Sequence, residues 1–344
     1  MTLISVLHSV WLTPVASAPM GFRNKAKLAA HGKAGQLILG LPANLASLLG
    51  RHDLSDCGLY ESSLVAALPQ IKVWLNQLGI APYQLIDRSG ELKYVLLSAG
   101  TNQCLMLRLV LANERCQSRI AGALPALQKR LPNLAVVSIN VQPVHQAIVE
   151  GALEIIITDR HTLPVMINDV ALQLVPQSFF QTNTAVAAKL YQTARDWMAV
   201  IQPITMWDLY CGVGGFGLHL ATDFNALTGV ELSQAAIASA KQAASALGLS
   251  NANFVASDVL TFARAQPTWP DLVLLNPPRR GVDAELCALI EASRTPYVMY
   301  SSCNPVSLAR DLSRLPSFKA VHAQLFDMFP NTEHAEVLVL LARD

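Results

Sequence analysis

The chain has 344 residues, 52% of them hydrophobic and 14% charged, with a formal net charge of +1. That composition excludes a disordered chain, and the length suffices for two domains that each bury a core. No apolar run is long enough to span a bilayer, and the opening residues lack the positive stretch of a signal peptide, so they read as a mature N-terminus. The charge is uneven: residues 1–172 carry 14 Lys and Arg against 10 Asp and Glu, whereas residues 173–344 carry 11 against 14. A mildly basic first half is compatible with gripping phosphates but falls far short of a dedicated basic stripe. Six cysteines, at 57, 104, 116, 211, 287 and 303, form no CxxC pair. This predicts reduced thiols in a cytoplasmic protein and argues against a disulfide framework or a zinc site.

In chain order, GELKYVLLSA (90–99), CLMLRLVLA (104–112) and LAVVSINVQPV (134–144) read as strands, with a helix over 120–131. EIIITD (154–159) and MINDVALQLVP (166–176) suggest a further hairpin. Strands following strands predict an antiparallel sheet with helices packed on it, an α+β domain. Past Pro176 the pattern changes. A helix over 184–200 leads into TMWDLY, ALTGVEL, ANFVASD, DLVLLNPP, YVMYSSC and EVLVLLA, with helical stretches between them. That alternation predicts a doubly wound, mostly parallel α/β sheet of Rossmann-like type. The domain boundary falls around 165–180, dividing the chain into a leading segment 1–20, an α+β domain 21–172 and an α/β domain 173–344.

The strongest local signal is Asp208-Leu-Tyr-Cys-Gly-Val-Gly-Gly-Phe-Gly217, between a strand and a helix. Its glycines, Gly212 and Gly214 among them, permit a tight turn and close approach of a ligand to a helix N-terminus. Glu231 ends the next strand, where a carboxylate can hold two ribose hydroxyls. A nicotinamide dinucleotide would also want an acid there. Two further acids favour S-adenosylmethionine. Asp208, inside the strand end, suits a positively charged sulfonium, and Asp258, ending the third strand, can accept from an adenine amino group. An ordinary strand-to-helix turn is the bland alternative.

Asn276-Pro-Pro stops the fourth strand, because proline cannot donate to a ladder, and leaves a rigid loop at the carboxyl edge of the sheet. Arg279 and Arg280 follow where amine-methylating enzymes place an aromatic residue, and they suit phosphate or carboxylate contacts. YSSCNP then places Cys303 at the same edge beside a helix start, a position expected to lower a thiol pKa. A thiolate adding to a uracil ring would create an enolate at carbon 5 able to attack a methyl sulfonium. A base must afterwards take the carbon 5 proton, and Glu336, just before the last apolar strand, is placed for it. Glu333 competes but sits in a loop, and His334 is read as having no specific role. An inert buried thiol fits Cys104, Cys116 and Cys287 better than Cys303, which polar residues surround.

With SFFQTN (178–183), DLYCGVGGFGLHLA, LLNPPRRG, YSSCN and FDMFPNTEHAEVL in this order, the chain resembles the RNA 5-methyluridine methyltransferase family from about Trp11 onward. Within it, GFRNKAK (21–27), GELKYVLL and INVQPVHQAIVEG resemble the branch acting on a uridine of 23S rRNA. The resemblance implies Cys303 as nucleophile, Glu336 as base, and cofactor contacts from Gln181, Tyr210, Glu231 and Asn276; Asn276 stands where many members have aspartate. The first domain is read as docking RNA, with Arg23, Lys25, Lys27 and Arg279 as candidate phosphate contacts; no membrane partner and a monomer are expected. Members of that branch hold a [4Fe-4S] cluster with three N-terminal cysteines and one later one. Cys57 matches the later ligand and the other three have no counterpart here: either the start is truncated or the cluster is lost, and no cluster is expected for the chain as given. Rival readings are a uridine of tRNA or of another rRNA site, a non-catalytic RNA-binding relative, and a nicotinamide oxidoreductase.

Overall fold

The computed structural model describes residue 7 and residues 10–42, 52–145 and 149–344. It divides into two compact units, Met20–Val165 and Met166–Asp344, the latter together with the N-terminal residues up to Pro19.

The first unit is built on a six-stranded sheet. Its elements are β1 (Lys25–Lys33), β2 (Gln36–Gly40), α1 (Ser62–Leu78), β3 (Leu92–Ala99), β4 (Leu105–Leu111), α2 (Gln117–Arg130), β5 (Leu134–Val141) and β6 (Leu153–Ile156), with strand order β2-β1-β3-β4-β5-β6. Alternation puts Ala26, Leu28, Val95, Leu97, Leu107, Leu109, Val137 and Ile139 on one face, under Leu68 and Ile71 of α1 and Ile120 and Leu127 of α2. Two expectations need correction. The sheet is mixed: β4 and β5 run parallel, with α2 as the crossover that a parallel pair requires. And residues 154–159 do not pair with 166–176, because β6 completes the sheet beside β5. The hairpin is instead β7 (Leu163–Ile167) with β8 (Val170–Leu174), turning at Asn168 with φ 49°. Sequence reading also passed over β1, β2 and α1. The lysines and alanines of β1 are weak strand formers, and pairing with β3 decides its state.

The second unit contains α3 (Thr184–Ile201), β9 (Thr205–Leu209), α4 (Gly215–Leu220), β10 (Ala226–Glu231), α5 (Gln234–Ala246), β11 (Ala252–Ala256), α6 (Val259–Ala265), β12 (Leu272–Leu275), α7 (Ala284–Ala292), β13 (Tyr297–Ser302), α8 (Pro305–Leu312), β14 (Phe318–Phe326) and β15 (Glu336–Arg343). Its seven strands run β11-β10-β9-β12-β13-β15-β14. The first five are parallel. β15 is antiparallel to both β13 and β14. Trp207, Val273, Val298, Tyr300 and Val339 form one buried face with Leu286 and Ile290 of α7 and Leu308 of α8. The order reverses between β9 and β12, which opens a crevice at the carboxyl edge of an α/β sheet. Of the leading segment, Trp11 and Val15 bridge Ala323 and Phe326 in parallel, covering an edge of β14 that would otherwise stand open.

Candidate catalytic site

Five parallel strands end at one edge, so their terminal residues converge. They are Tyr210 after β9, Glu231 at the end of β10, Asp258 after β11, Asn276 after β12 and Cys303 after β13. An antiparallel strand begins where its parallel neighbours finish, so Glu336, the first residue of β15, joins the same edge. The β13–β15 register runs from Tyr297↔Ala342 to Ser302↔Val337. Continuing that register by one step leads from Ser302 and Val337 to Cys303 and Glu336, and the Glu336 carboxylate is close enough to act on the Cys303 thiol.

The turn after β9 is held in unusual backbone geometry. Tyr210, Gly212 and Gly214 have φ of 63°, 55° and 82°, and a non-glycine residue there marks stored strain of the kind found at ligand sites. A Cβ built on Gly212 meets nothing within 4 Å, so this stretch of backbone is open to a close-lying ligand. Asp208 is fully buried, and its Oδ2 accepts from the Gly217 amide at 2.8 Å, bracing the first turn of α4. Its Oδ1 has no hydrogen-bond partner among the described residues. Burial pushes this carboxyl up to about 7, helped by the nearby Glu231. Asp208 is therefore only partly ionised at neutrality, and it braces the turn.

The other cofactor candidates fall around this turn. Glu231 holds the Ser233 amide at 3.0 Å through Oε1. The Asn276 amide donates to the Leu209 carbonyl at 3.2 Å, tying the Asn-Pro-Pro loop to the end of β9. Asp258 caps α6, its Oδ1 taken by the Thr261 amide and hydroxyl at 2.9 and 3.0 Å. Gln181 is buried two residues before Asn183, which caps α3 and donates to the Ser17 hydroxyl at 2.7 Å.

Around the thiol, one expectation is corrected. Cys303 lies half-buried just before Asn304, the N-cap of α8, yet its thiol pKa is raised. Burial is the main cause and the Glu336 carboxylate adds to it; Arg279, by charge and hydrogen bond, pulls the other way. A short helix start does not overcome that desolvation. Glu336 is buried, and desolvation pushes it up to about 7 against a hydrogen bond from the Ser301 hydroxyl at 2.5 Å. A carboxyl poised near neutrality is suited to accept a proton.

Sequence reading missed what holds the loop beside Cys303 in place. Asp311 of α8 is fully buried. Its Oδ2 accepts from the Val282 amide at 2.8 Å and the Tyr300 hydroxyl at 2.9 Å, and its Oδ1 from Arg310 at 2.9 Å and Arg314 at 3.3 Å. Arg310 also donates to the Arg280 carbonyl at 2.6 Å, and Asn304 to the Arg279 carbonyl at 2.9 Å. One helix thus clamps the Arg279 loop beside the cysteine that precedes it. In the sequence, Asp311 was legible only as part of a helical stretch.

In the first unit, Lys27 is exposed and Arg23 half-buried, but Lys25 is no free surface cation. Burial lowers its pKa among Glu150, Arg108 and Lys27. Arg108 is committed to Glu154, at 2.9 Å through Nε, and Glu154 also takes the Ser138 hydroxyl at 2.6 Å. Cys57 is half-buried against the core of this unit. Among the described residues, no group of three or more His, Cys, Asp or Glu is placed to hold a metal ion. One cysteine does not fit an iron–sulfur cluster. No helix among them is long and apolar enough to cross a membrane.

The reversed strand order and the strained glycine turn define the second unit as a Rossmann-like methyltransferase domain. A solved structure, the Pyrococcus abyssi tRNA (uracil-54, C5)-methyltransferase in complex with S-adenosyl-L-homocysteine, superposes with a TM-score of 0.80 at 22% identity, covering 99% of this chain and 81% of that one. The model of the tRNA (uracil-5-)-methyltransferase family matches residues 156–268 and 268–344. A 23S rRNA (uracil(747)-C(5))-methyltransferase RlmC of Pectobacterium atrosepticum is 48% identical over 339 residues, 98% of this chain and 90% of that one. Its counterpart in Halothiobacillus neapolitanus is 48% identical, covering 98% and 89%, and one in Escherichia coli is 46% identical, covering 97% and 88%. The chain belongs to the RNA uracil-C5-methyltransferase family.

Proposed function

We propose that this protein methylates carbon 5 of a uridine in 23S rRNA, with S-adenosylmethionine as methyl donor, Cys303 as covalent nucleophile and Glu336 as base. The observation that carries the reading is the β13–β15 register, which brings Glu336 to the carboxyl edge where Cys303 follows β13, close enough for its carboxylate to act on the thiol. The choice of 23S rRNA rests on relatives of that name at 46–48% identity over nearly the whole chain.

When bound, S-adenosylmethionine supplies an electrophilic methyl group. Glu231, Tyr210, Asn276 and Gln181 would hold it, with Gly212 leaving the backbone open, Gly214 completing the tight turn, Asp208 buried against the start of α4 and Asp258 at the rim. Cys303 adds to carbon 6 of the uracil, and the electron pair moves to carbon 5 and the carbonyl oxygen. Because the thiol pKa is raised, Arg279 has the task of favouring the thiolate as it forms. After carbon 5 has taken the methyl group, Glu336 removes its proton, the carbon 5–carbon 6 double bond returns, and the cysteine sulfur leaves. The target base would have to leave its stack to reach Cys303. Lys27, Arg23 and Arg279 are the phosphate contacts that fit their exposure, with Lys25 in a supporting place. Six free cysteines support a reducing, cytoplasmic setting, and we take the enzyme to act as a monomer.

The test is methyl transfer to unmodified 23S rRNA and, separately, to tRNA transcripts. Cys303→Ala should abolish transfer while S-adenosylhomocysteine still binds, and Glu336→Gln should leave a covalent RNA–protein band on denaturing gels. Full activity of Cys303→Ala would sink the mechanism; transfer to tRNA alone would sink the substrate.

A further inference from the structure

We propose that Ser301 is the positioning residue of the base: its hydroxyl holds one oxygen of Glu336, leaving the other directed toward the thiol and the reacting ring. This rests on the reading of Glu336 as the base.

The geometry begins with period-two alternation. Ser301 lies in β13, with Cys303 just past the strand's end, and Ser301 pairs directly with Leu338 of β15. Glu336 is two residues before Leu338, so it is the same-face diagonal neighbour of Ser301, and its charge reaches the Cys303 thiol. Ser301 is fully buried and Glu336 nearly so, at 3% exposure. The Ser301 hydroxyl donates to Glu336 Oε1 at 2.5 Å. A hydroxyl with no access to water has few other places to send its proton, and a buried carboxylate has few other donors. The bond fixes the carboxylate plane and favours its charged form.

The groups that face Glu336 are few. From β13 there is Cys303, and from α3 there is Tyr191, whose own pKa Glu336 raises. β14 meets it through Phe326, which is apolar. In the loop before it, Glu333 and His334 are exposed. Ser301 is thus the donor through which the fold opposes the burial of the base. Without it, Glu336 would take a proton more readily and the carboxylate would swing freely.

The experiment compares Ser301→Ala, Ser301→Thr and Glu336→Gln in the full chain, each checked for wild-type S-adenosylhomocysteine binding. In Ser301→Ala, the acid limb of the turnover profile should move up by about one pH unit, as expected for loss of a charge-assisted hydrogen bond. KM for RNA should change less than kcat, and at pH 6.5 the covalent adduct should accumulate. Ser301→Thr keeps the hydroxyl and should restore the wild-type limb. If Glu336→Gln traps adduct but Ser301→Ala keeps the wild-type profile, the positioning role is overturned and the base reading stands. If Glu336→Gln turns over without trapping adduct, the base reading fails and takes this proposal with it. Should Ser301→Ala lose cofactor binding, Ser301→Thr decides: a limb displaced despite the retained hydroxyl overturns the role.

Discussion

Asp208→Asn should stabilise the protein at neutral and alkaline pH while weakening its binding of S-adenosylhomocysteine. The carboxyl is fully buried, one oxygen has no partner among the described residues, and its pKa is raised from 3.8 to about 7. The sign follows from that direction. Stability from the neutral acid is fully present below about pH 4 and is lost as pH rises to about 7, because the unfolded chain ionises first. A rise of about three pH units, at roughly 1.4 kcal/mol each, amounts to about 4 kcal/mol across that window. Asparagine does not titrate, yet its carbonyl can still accept from Gly217. The unfolding free energy of the variant minus that of the parent should therefore grow by about 4 kcal/mol between pH 4 and pH 8. Urea unfolding at several pH values measures it. A difference that stays constant with pH would refute the reasoning, since the cost would not then lie in the buried charge. Stabilisation with loss of binding is the pattern expected where a site stores strain.

Three further outcomes follow from the same geometry. Asp311→Asn turns an amide toward two of the four donors around it, and should cost about 3–5 kcal/mol, seen in thermal unfolding; a loss below 1 kcal/mol would deny it the clamping role. Arg279→Ala removes the charge and side-chain hydrogen bond that oppose the raised thiol pKa, so alkylation of Cys303 at pH 8 should slow relative to the parent. An unchanged rate would show that Arg279 leaves the thiol untouched. Asn183→Ala removes the α3 cap and the link to Ser17, and should cost about 1–2 kcal/mol in chemical unfolding, with Asn183→Asp recovering the cap but not the link.

Much of the catalytic unit was legible in the residues themselves. Alternating apolar strands and helices dictate a doubly wound sheet, and glycines at 212 and 214 announce a turn whose positive φ values only glycine adopts freely. Chain-local signals also placed Cys303 and Glu336 at the ends of apolar runs. The first unit was less legible. The alanines and lysines of β1 carry no strand signal, and whether β4 and β5 run parallel depends on a crossover that no local pattern encodes. Their state is set by partners distant in sequence.

Two properties of the site came only from the tertiary structure. The sequence determined which chemical groups are present and which of them end strands. It did not determine their protonation, because desolvation depends on what packs above a residue: Cys303 beside a helix start looked set for a lowered pKa, and burial with Glu336 raises it instead. Nor did it reveal Ser301 or Asp311. Ser301 reaches the base only because β15 runs antiparallel and brings Glu336 back to the edge where β13 ends, and Asp311 reaches the Arg279 loop only because α8 folds under it. Pairing across the sheet, between residues 35 apart along the chain, is what joins hydroxyl to carboxylate.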